Sequence, residues 1–463
     1  MNRDAPTALT ADVFSGHRPT AAGDLSVETH GIAPVPEDQR YGRPGRMFTV
    51  WFAPQVTMTG VFAGTLAIVL GLGFWLGMLA MTIGTVLGSA VVAYLCTWGP
   101  RTGTAQVPNA RMAFGPAVKL PAALQWLSSV AWDGLVGLFG AEALALLTGI
   151  PFWGAALVVL GLQGAVGFFG YELLHRVQAV LTVVLFATFV VLAVKLVGGH
   201  EVVVGPSASG AELAGAFVFE MTIALSLAIS WASYAADFSR YLPADSPPVR
   251  VFGYSFAGLV ASYVFVQGIG IAGADLLAEH TAEGVRSVMG GGLLGVVALM
   301  AIVLASVGSS AMNDYSGSLA LQTIGVRVRR PLSSVVVTAL AFALIMWLQA
   351  SDMTQRFTDL LLLASYWVPA FVAVVGIDWW LRAAGRPTFN PAHEVTDTAD
   401  AAAAVVAFVV SYLAAVPFMN TTLVQGAVAR AWHGADTAYF VNFLVAALLY
   451  GGWRLSRRYR AKT

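Results

Sequence analysis

The chain has 463 residues, of which 57% are hydrophobic and only 11% charged, and its 25 basic and 25 acidic side chains cancel to zero net charge. So little charge does not cover the surface of a soluble protein of this length, and a neutral balance offers no basic face for nucleic acid. The single cysteine, Cys96, excludes an internal disulfide framework and a cysteine-rich metal site.

In chain order, residues 1–47 are polar, proline-containing and charged, with no apolar core of a signal peptide, and are expected to be a cytoplasmic tail. Apolar runs of about 20 residues, the length that crosses a hydrocarbon core as helix, then recur to the end of the chain. They predict spans at 48–70, 73–96, 121–147, 151–170, 177–197, 214–236, 251–275, 291–313, 333–350, 357–381, 402–419 and 437–453. The expected fold is an all-α polytopic membrane protein with twelve transmembrane helices embedded in a lipid bilayer. Residues 48–381 hold ten spans, 382–453 a loop and two accessory spans, and 454–463 a basic tail. Of the 25 Lys and Arg residues, 21 fall on the side of the two tails and only Lys195, Arg286, Arg356 and Arg430 on the other. That bias places both termini in the cytoplasm and the chain in the cell membrane.

Four spans carry polar residues that lipid does not explain. Span 1 is interrupted in WFAPQVTMTG, where Pro54 removes a backbone donor and Gln55, Thr57 and Thr59 follow. In span 3, Asp133 shares a strip with Gly137 and Gly140, where another helix approaches closely. Glu142 lies about 180° around that helix and roughly 13 Å along it, so the two acids form no dyad. Asp133 is either a packing hydrogen-bond partner or a group that handles substrate or protons. Glu142 and Glu220 are expected near the outer ends of their spans, in structural or rim roles. Span 6 reads SWASYAADFSRYLP: Ser230 and Ser233 alternate with Trp231 and Tyr234, either as a platform for a flat heteroaromatic ligand or as ordinary packing with serines bonded back to the helix. Asp237 and Arg240 at its cytoplasmic end are expected to form a gate or anchor pair. Span 8 ends in ASVGSSAMNDYSGS, where Asn313 offers a donor and an acceptor to a nucleobase edge and the serines or carbonyls suit a small cation. The alternative is a small-residue packing face, and Asp314 is expected at the cytoplasmic mouth. No Walker, H-E-x-x-H or G-x-S-x-G motif occurs, which speaks against an ATP-driven pump, a metalloprotease or any other enzyme.

Four segments, VETHGIAPVPEDQRYGRP, GPRTGTAQVPNARMAFG, WASYAADFSRYLP and LLLLASYWVPAFVAVVGIDWWLR, together resemble the nucleobase:cation symporter family, specifically its purine/cytosine permease branch. The resemblance implies a five-plus-five inverted repeat with broken spans 1 and 6, two additional helices, and alternating access around a midplane site. It implies that Trp132 and Trp231 sandwich a planar ring, that Asn313 bonds the ring, and that Ser230 and Ser233 line the pocket. Ser309 is placed with the same edge. Carbonyls near Ala53 and Val56, with Ser306, would form a sodium site. Two departures stand out. The family's Gln or Asn four residues after the span 3 tryptophan is Val136 here, and GNNVPN of the branch is GSSAMN, Gly308 to Asn313. Val307 and Gly308 also replace the hydroxyl residues of sodium-coupled relatives, which favours a proton over sodium, carried by Asp133 or Glu142. The implied function is import of a nucleobase or related planar heterocycle, such as cytosine, a purine, allantoin or a hydantoin. No cofactor is implied beyond sodium as the alternative coupling ion. A non-transporting receptor on a transporter scaffold, or a carrier of a cationic heterocycle, is the alternative that Val136 and Asp133 keep open.

Overall fold

The computed structural model describes residues 30–169, 171–278, 281–326, 330–350, 352–383 and 396–460. The start of the predicted tail, most of the loop that follows span 10 and the last three residues lie outside the described residues. Among the described residues the regular elements are helices, with one isolated bridge between Asn420 and Gln425. In hydrocarbon every backbone polar group needs a partner within the chain, and a helix meets that need one segment at a time.

The helices that position the site are α1 (Arg46–Phe52), α2 (Met58–Val69), α3 (Gly73–Cys96), α4 (Lys119–Thr148), α5 (Phe152–Phe169) and α6 (Tyr171–Gly199). They continue with α7 (Gly210–Ile229), α8 (Ala235–Ser239), α9 (Pro248–Ala272), α10 (Leu293–Ile324) and α11 (Arg330–Ala350). The last are α12 (Met353–Leu363), α13 (Val368–Ala383), α14 (Thr398–Ala415) and α15 (Ala438–Arg460). Among the described residues nine helical segments are long and apolar enough to cross a membrane, and ten if the bent pair α1–α2 is one span. Shorter apolar helices, Phe152–Val166 and Val335–Ala350, stand where the fourth and ninth spans are predicted. Large apolar side chains such as Val183, Val194 and Leu448 are two-thirds exposed, as lipid-facing positions should be.

Two elements differ from their prediction. Span 8 is expected to end at 313, yet α10 continues to Ile324 and is capped by left-handed Gly325. Its polar residues are buried against α4 rather than marking a helix end, so Asp314 sits well inside the helix and half-buried. Span 6 does not open as a broken strand of chain; it tightens into a 3-10 turn at Ser230–Tyr234 between α7 and α8.

The bundle is drawn together where small residues let backbones meet. A Cβ on Gly84 of α3 would stand 2.0 Å from the Met221 carbonyl oxygen of α7, and one on Gly64 of α2 would stand 2.1 Å from that of Gln267 in α9. α4 and α10 run antiparallel. Gly317 lies against Ser129 at one end of their contact and Gly140 against Ser306 at the other, where Ser306 Oγ donates to the Val136 carbonyl at 2.9 Å. α15 attaches to this core through polar contacts: Tyr439 Oη donates to Ser226 Oγ at 2.7 Å, and Tyr450 Oη donates to Asp378 Oδ1 at 2.8 Å.

Candidate functional site

Pro54 shapes the first half of the site. The helix α1 tightens into a 3-10 turn over Ala53–Gln55, then leaves helical geometry at Val56 (ψ 71°) and Thr57 (φ −129°, ψ 160°) before α2 begins. α1 and α2 are bent by 60° at this break. The bend projects Gln55 into the interior, where it is only 3% exposed. Its Oε1 accepts from Trp231 Nε1 at 3.1 Å, and the same indole N–H is shared with Tyr263 Oη at 3.0 Å. Trp231 sits on the 3-10 turn of span 6, packed against the rings of Trp51 (5.6 Å between centroids) and Tyr234 (5.4 Å). Gln55 Nε2, Ser233 Oγ and Tyr234 Oη are buried there with no hydrogen-bond partner. Such groups are costly in a protein interior unless something completes them. Ser230 Oγ, by contrast, donates back to Leu227 O at 2.8 Å within its own helix.

The second half is the face of α4 and α10. Trp132 is almost fully buried with its Nε1 unpartnered, and Val136 lies one turn further along α4. Ser309 and Asn313 of α10 are each 3% exposed. Asp133 is fully buried and its carboxyl oxygens have no hydrogen-bond partner. It faces Ser310, Asn313 and Asp314 of α10, as the register of the two helices requires. Glu142 stands apart from this cluster, half-buried near Ala282 of the short helix Thr281–Met289. Glu220 is no rim residue. It is fully buried in α7 with both carboxyl oxygens unpartnered.

The positions expected to hold sodium are largely engaged with the protein itself. Ala53 O accepts from Val56 N at 3.1 Å, Ser306 donates to Val136 O, and Gly308 O accepts from Gln178 Nε2 at 2.8 Å. At the end of the bundle that carries the N-terminal segment, Asp237 Oδ1 accepts from the Gln106 backbone N–H at 2.7 Å. Arg240, fully buried, donates to Gly31 O at 2.6 Å and to Tyr315 Oη at 2.9 Å. Tyr41 N donates to Tyr241 O at 2.6 Å, and Arg40 Nη1 to Pro100 O at 2.7 Å. Asp237 and Arg240 thus tie the N-terminal segment, the loop after α3 and the end of span 6 together. At the opposite end a cavity of about 420 Å³, lined in part by Leu66, Phe219, Ile223, Asp359 and Thr422, reaches between α2 and α7 without including either tryptophan.

Sequence reasoning located Trp132, Trp231, Ser233, Asn313 and Asp133 as buried interior groups. It did not locate Gln55 and Tyr263 as the partners of Trp231, or Gln178 as that of the Gly308 carbonyl, because a polar residue among apolar ones reveals no partner 176 positions away.

A bundle of membrane-length helices, bent at one proline and carrying unpartnered polar groups beside buried aromatic rings, defines a polytopic membrane protein. Residues 34–442 match the family described as permease for cytosine/purines, uracil, thiamine, allantoin, and the chain belongs to that family. The Bacillus subtilis (strain 168) protein YxlA, named as a purine-cytosine permease, is 24% identical over 92% of this chain and 95% of its own length. The purine-cytosine permease fcyB of Emericella nidulans is 24% identical over 93% of this chain and 88% of its own. Among solved structures, Mhp1, a nucleobase-cation-symport-1 family transporter, superposes with a TM-score of 0.70 in a closed conformation with bromovinylhydantoin bound, at 17% identity over 92% of this chain and 94% of that one. Its inward-facing form gives 0.72 at 20% identity, covering 94% and 95%. The chain therefore has the Mhp1-like transporter fold, and its relatives are permeases and transporters, not enzymes.

Proposed function

We propose that the protein is a secondary active importer that carries a nucleobase or related planar heterocycle across the cell membrane, with both termini in the cytoplasm, by alternating access coupled to a cation gradient. One observation carries the reading. Trp231 is fixed at the tightened turn of span 6 by Gln55 and Tyr263, and Gln55 Nε2 and Ser233 Oγ are buried beside it without partners. A flat ring that stacks on Trp231 and presents acceptors at its edge completes both groups, and Trp132 supplies the opposing aromatic surface. Gln55 replaces from span 1 the amide that Val136 no longer offers from span 3. Asn313 and Ser309 read the far edge of the ring.

Coupling to protons rather than sodium is supported by the chemistry of the expected cation positions, where Val307 and Gly308 offer no hydroxyl and Ser306 is turned to α4. The contacts of Asp237 and Arg240 act as the cytoplasmic gate, since opening toward that side must separate the N-terminal segment from span 6. The test is ligand-induced stabilisation of the purified protein in detergent against cytosine, uracil, adenine, hypoxanthine, allantoin and a hydantoin. A saturable rise in melting temperature with at least one of these, moved to roughly fivefold to tenfold higher ligand concentration in Gln55→Ala, is expected. Stabilisation by none of the six would refute the reading.

A further inference from the structure

Behind the ring site lies a second cluster that stacking and edge recognition do not use. Asp133 of α4 and Asp314 of α10 face each other across the antiparallel contact of the two helices. Ser310 faces Asp133, and Gln163 of α5 faces Asp314. Asp133 and Ser310 are fully buried, Gln163 is 2% exposed and Asp314 is half-buried. Asp133 Oδ1 and Oδ2, Ser310 Oγ and Gln163 Oε1 are all buried without a hydrogen-bond partner. α11 closes the side of α4 nearest Asp133 with apolar residues, Leu344 against Gly134 and Ile345 against Gly137. From span 6, Tyr234 lies within electrostatic reach of both Asp133 and Asp237. Among the described residues no Lys, Arg or His shifts the proton affinity of either carboxyl, and Arg240 is bonded to Tyr315, the residue after Asp314 in α10.

Two carboxyl groups brought together where one is fully buried and no cation acts on either do not both stay charged; they hold a proton between them. We propose that Asp133 and Asp314 form the proton-binding site of this transporter, with Gln163 and Ser310 completing the cage and Asn313 as the link to the ligand. The proposal rests on the transporter reading above and deepens it: it assigns the coupling ion a place, adds Asp314 as the partner, and removes Glu142 from the role. Asn313 sits between the two sites. When Asp133 is ionised it accepts a hydrogen bond from the Asn313 amide N–H, which turns the amide oxygen to the ligand. When Asp133 is protonated it donates to that oxygen, which turns the N–H group to the ligand instead. Binding of a ligand edge that accepts a hydrogen bond therefore favours uptake of one proton from water on the loading side. The same proton leaves when the ligand leaves on the other side. No bond other than O–H is made or broken.

The test uses full-length protein in proteoliposomes and two readouts. The first is uptake of labelled cytosine and adenine driven by an inward proton gradient, compared with exchange of the same label at equal concentrations on both sides, which needs no driving ion. Asp133→Asn and Asp314→Asn should each lose concentrative uptake by tenfold or more while keeping exchange, the double variant should be no worse than either, and Glu142→Gln should behave as wild type. The second readout needs no ligand. Infrared difference spectra of the reconstituted protein between low and high pH should show a protonated carboxyl band that both single variants alter, that Glu142→Gln leaves in place, and whose midpoint Gln163→Leu displaces. Should the asparagine variants fail to fold, the Gln163→Leu displacement carries the test alone. Undiminished proton-driven accumulation in Asp314→Asn, a carboxyl band untouched by both aspartate variants, an unmoved midpoint in Gln163→Leu, or accumulation driven by sodium alone would each overturn the proposal. If wild type carries neither label but the infrared changes appear as described, cytosine and adenine fail as ligands and the proton site stands.

Discussion

At the scale of the residue, the site is a few unsatisfied groups around two indole rings. Removing a ring that stacks a ligand costs its burial and its aromatic contact, together about 2–3 kcal/mol. Trp132→Ala and Trp231→Ala should therefore each weaken ligand affinity roughly thirtyfold or more, as measured by titration of the purified protein, with Trp231→Ala the worse because Trp51 and Tyr234 also lean on that ring. Gln55→Ala leaves the Trp231 indole with Tyr263 Oη as its acceptor. What it removes is the ligand contact, worth about 1 kcal/mol, so affinity should fall roughly fivefold to tenfold with little change in melting temperature of the empty protein. The tryptophans and Asn313 are legible in the sequence because polar and aromatic residues in a lipid-length run need a reason. Gln55 is visible as a polar residue after Pro54, but its role is not, because it depends on which helix the bend turns it toward. The length of α10 is not legible for a related reason: Gly317 and Ser318 look like the end of a helix, and only the packing of α10 on α4, with Gly317 against Ser129, shows that the helix continues past them.

At the scale of the element, the two features that matter are the break in span 1 and the close glycine contacts. With alanine at position 54 the backbone regains an N–H that can continue the α1 ladder, so the helix can run through the bend. Pro54→Ala should keep the protein folded and membrane-inserted but reduce transport by an order of magnitude or more, because Gln55 then turns away from Trp231. Equal transport in this variant would separate the break from function. Gly84 has a different role: any side chain there meets the Met221 carbonyl, and α3 must move off α7. Overpacking of this kind costs about 1–3 kcal/mol, so Gly84→Leu should lower the melting temperature in detergent by several degrees, whereas Gly161→Ala, where nothing lies within 4 Å, should not. Helix lengths and the first break were legible because bilayer thickness and proline chemistry act locally. The 3-10 turn of span 6 was not, because Ser230–Tyr234 contains neither glycine nor proline and its tightening is tied to tertiary contacts, the hydrogen bonds of Trp231 to Gln55 and Tyr263.

At the scale of the whole molecule, the family and the transporter fold are secure, and the central claim is that this fold works here as a concentrating carrier of a flat heterocycle. Its architecture divides the labour. On the proposed reading the bend of span 1 and the turn of span 6 present the ring site, and α4 and α10 hold the acid pair. The contacts of Arg240 and Asp237 with the N-terminal segment and the loop after α3 close one end of the path. The most direct test is uptake into sealed proteoliposomes of labelled cytosine, uracil, adenine, hypoxanthine, allantoin and a hydantoin, with inward proton and sodium gradients imposed separately. The account predicts that at least one of these compounds accumulates above its external concentration under the proton gradient, and that accumulation collapses when a protonophore is added. Binding of a compound with no accumulation under either gradient would contradict it, and would make the protein a receptor built on a transporter fold.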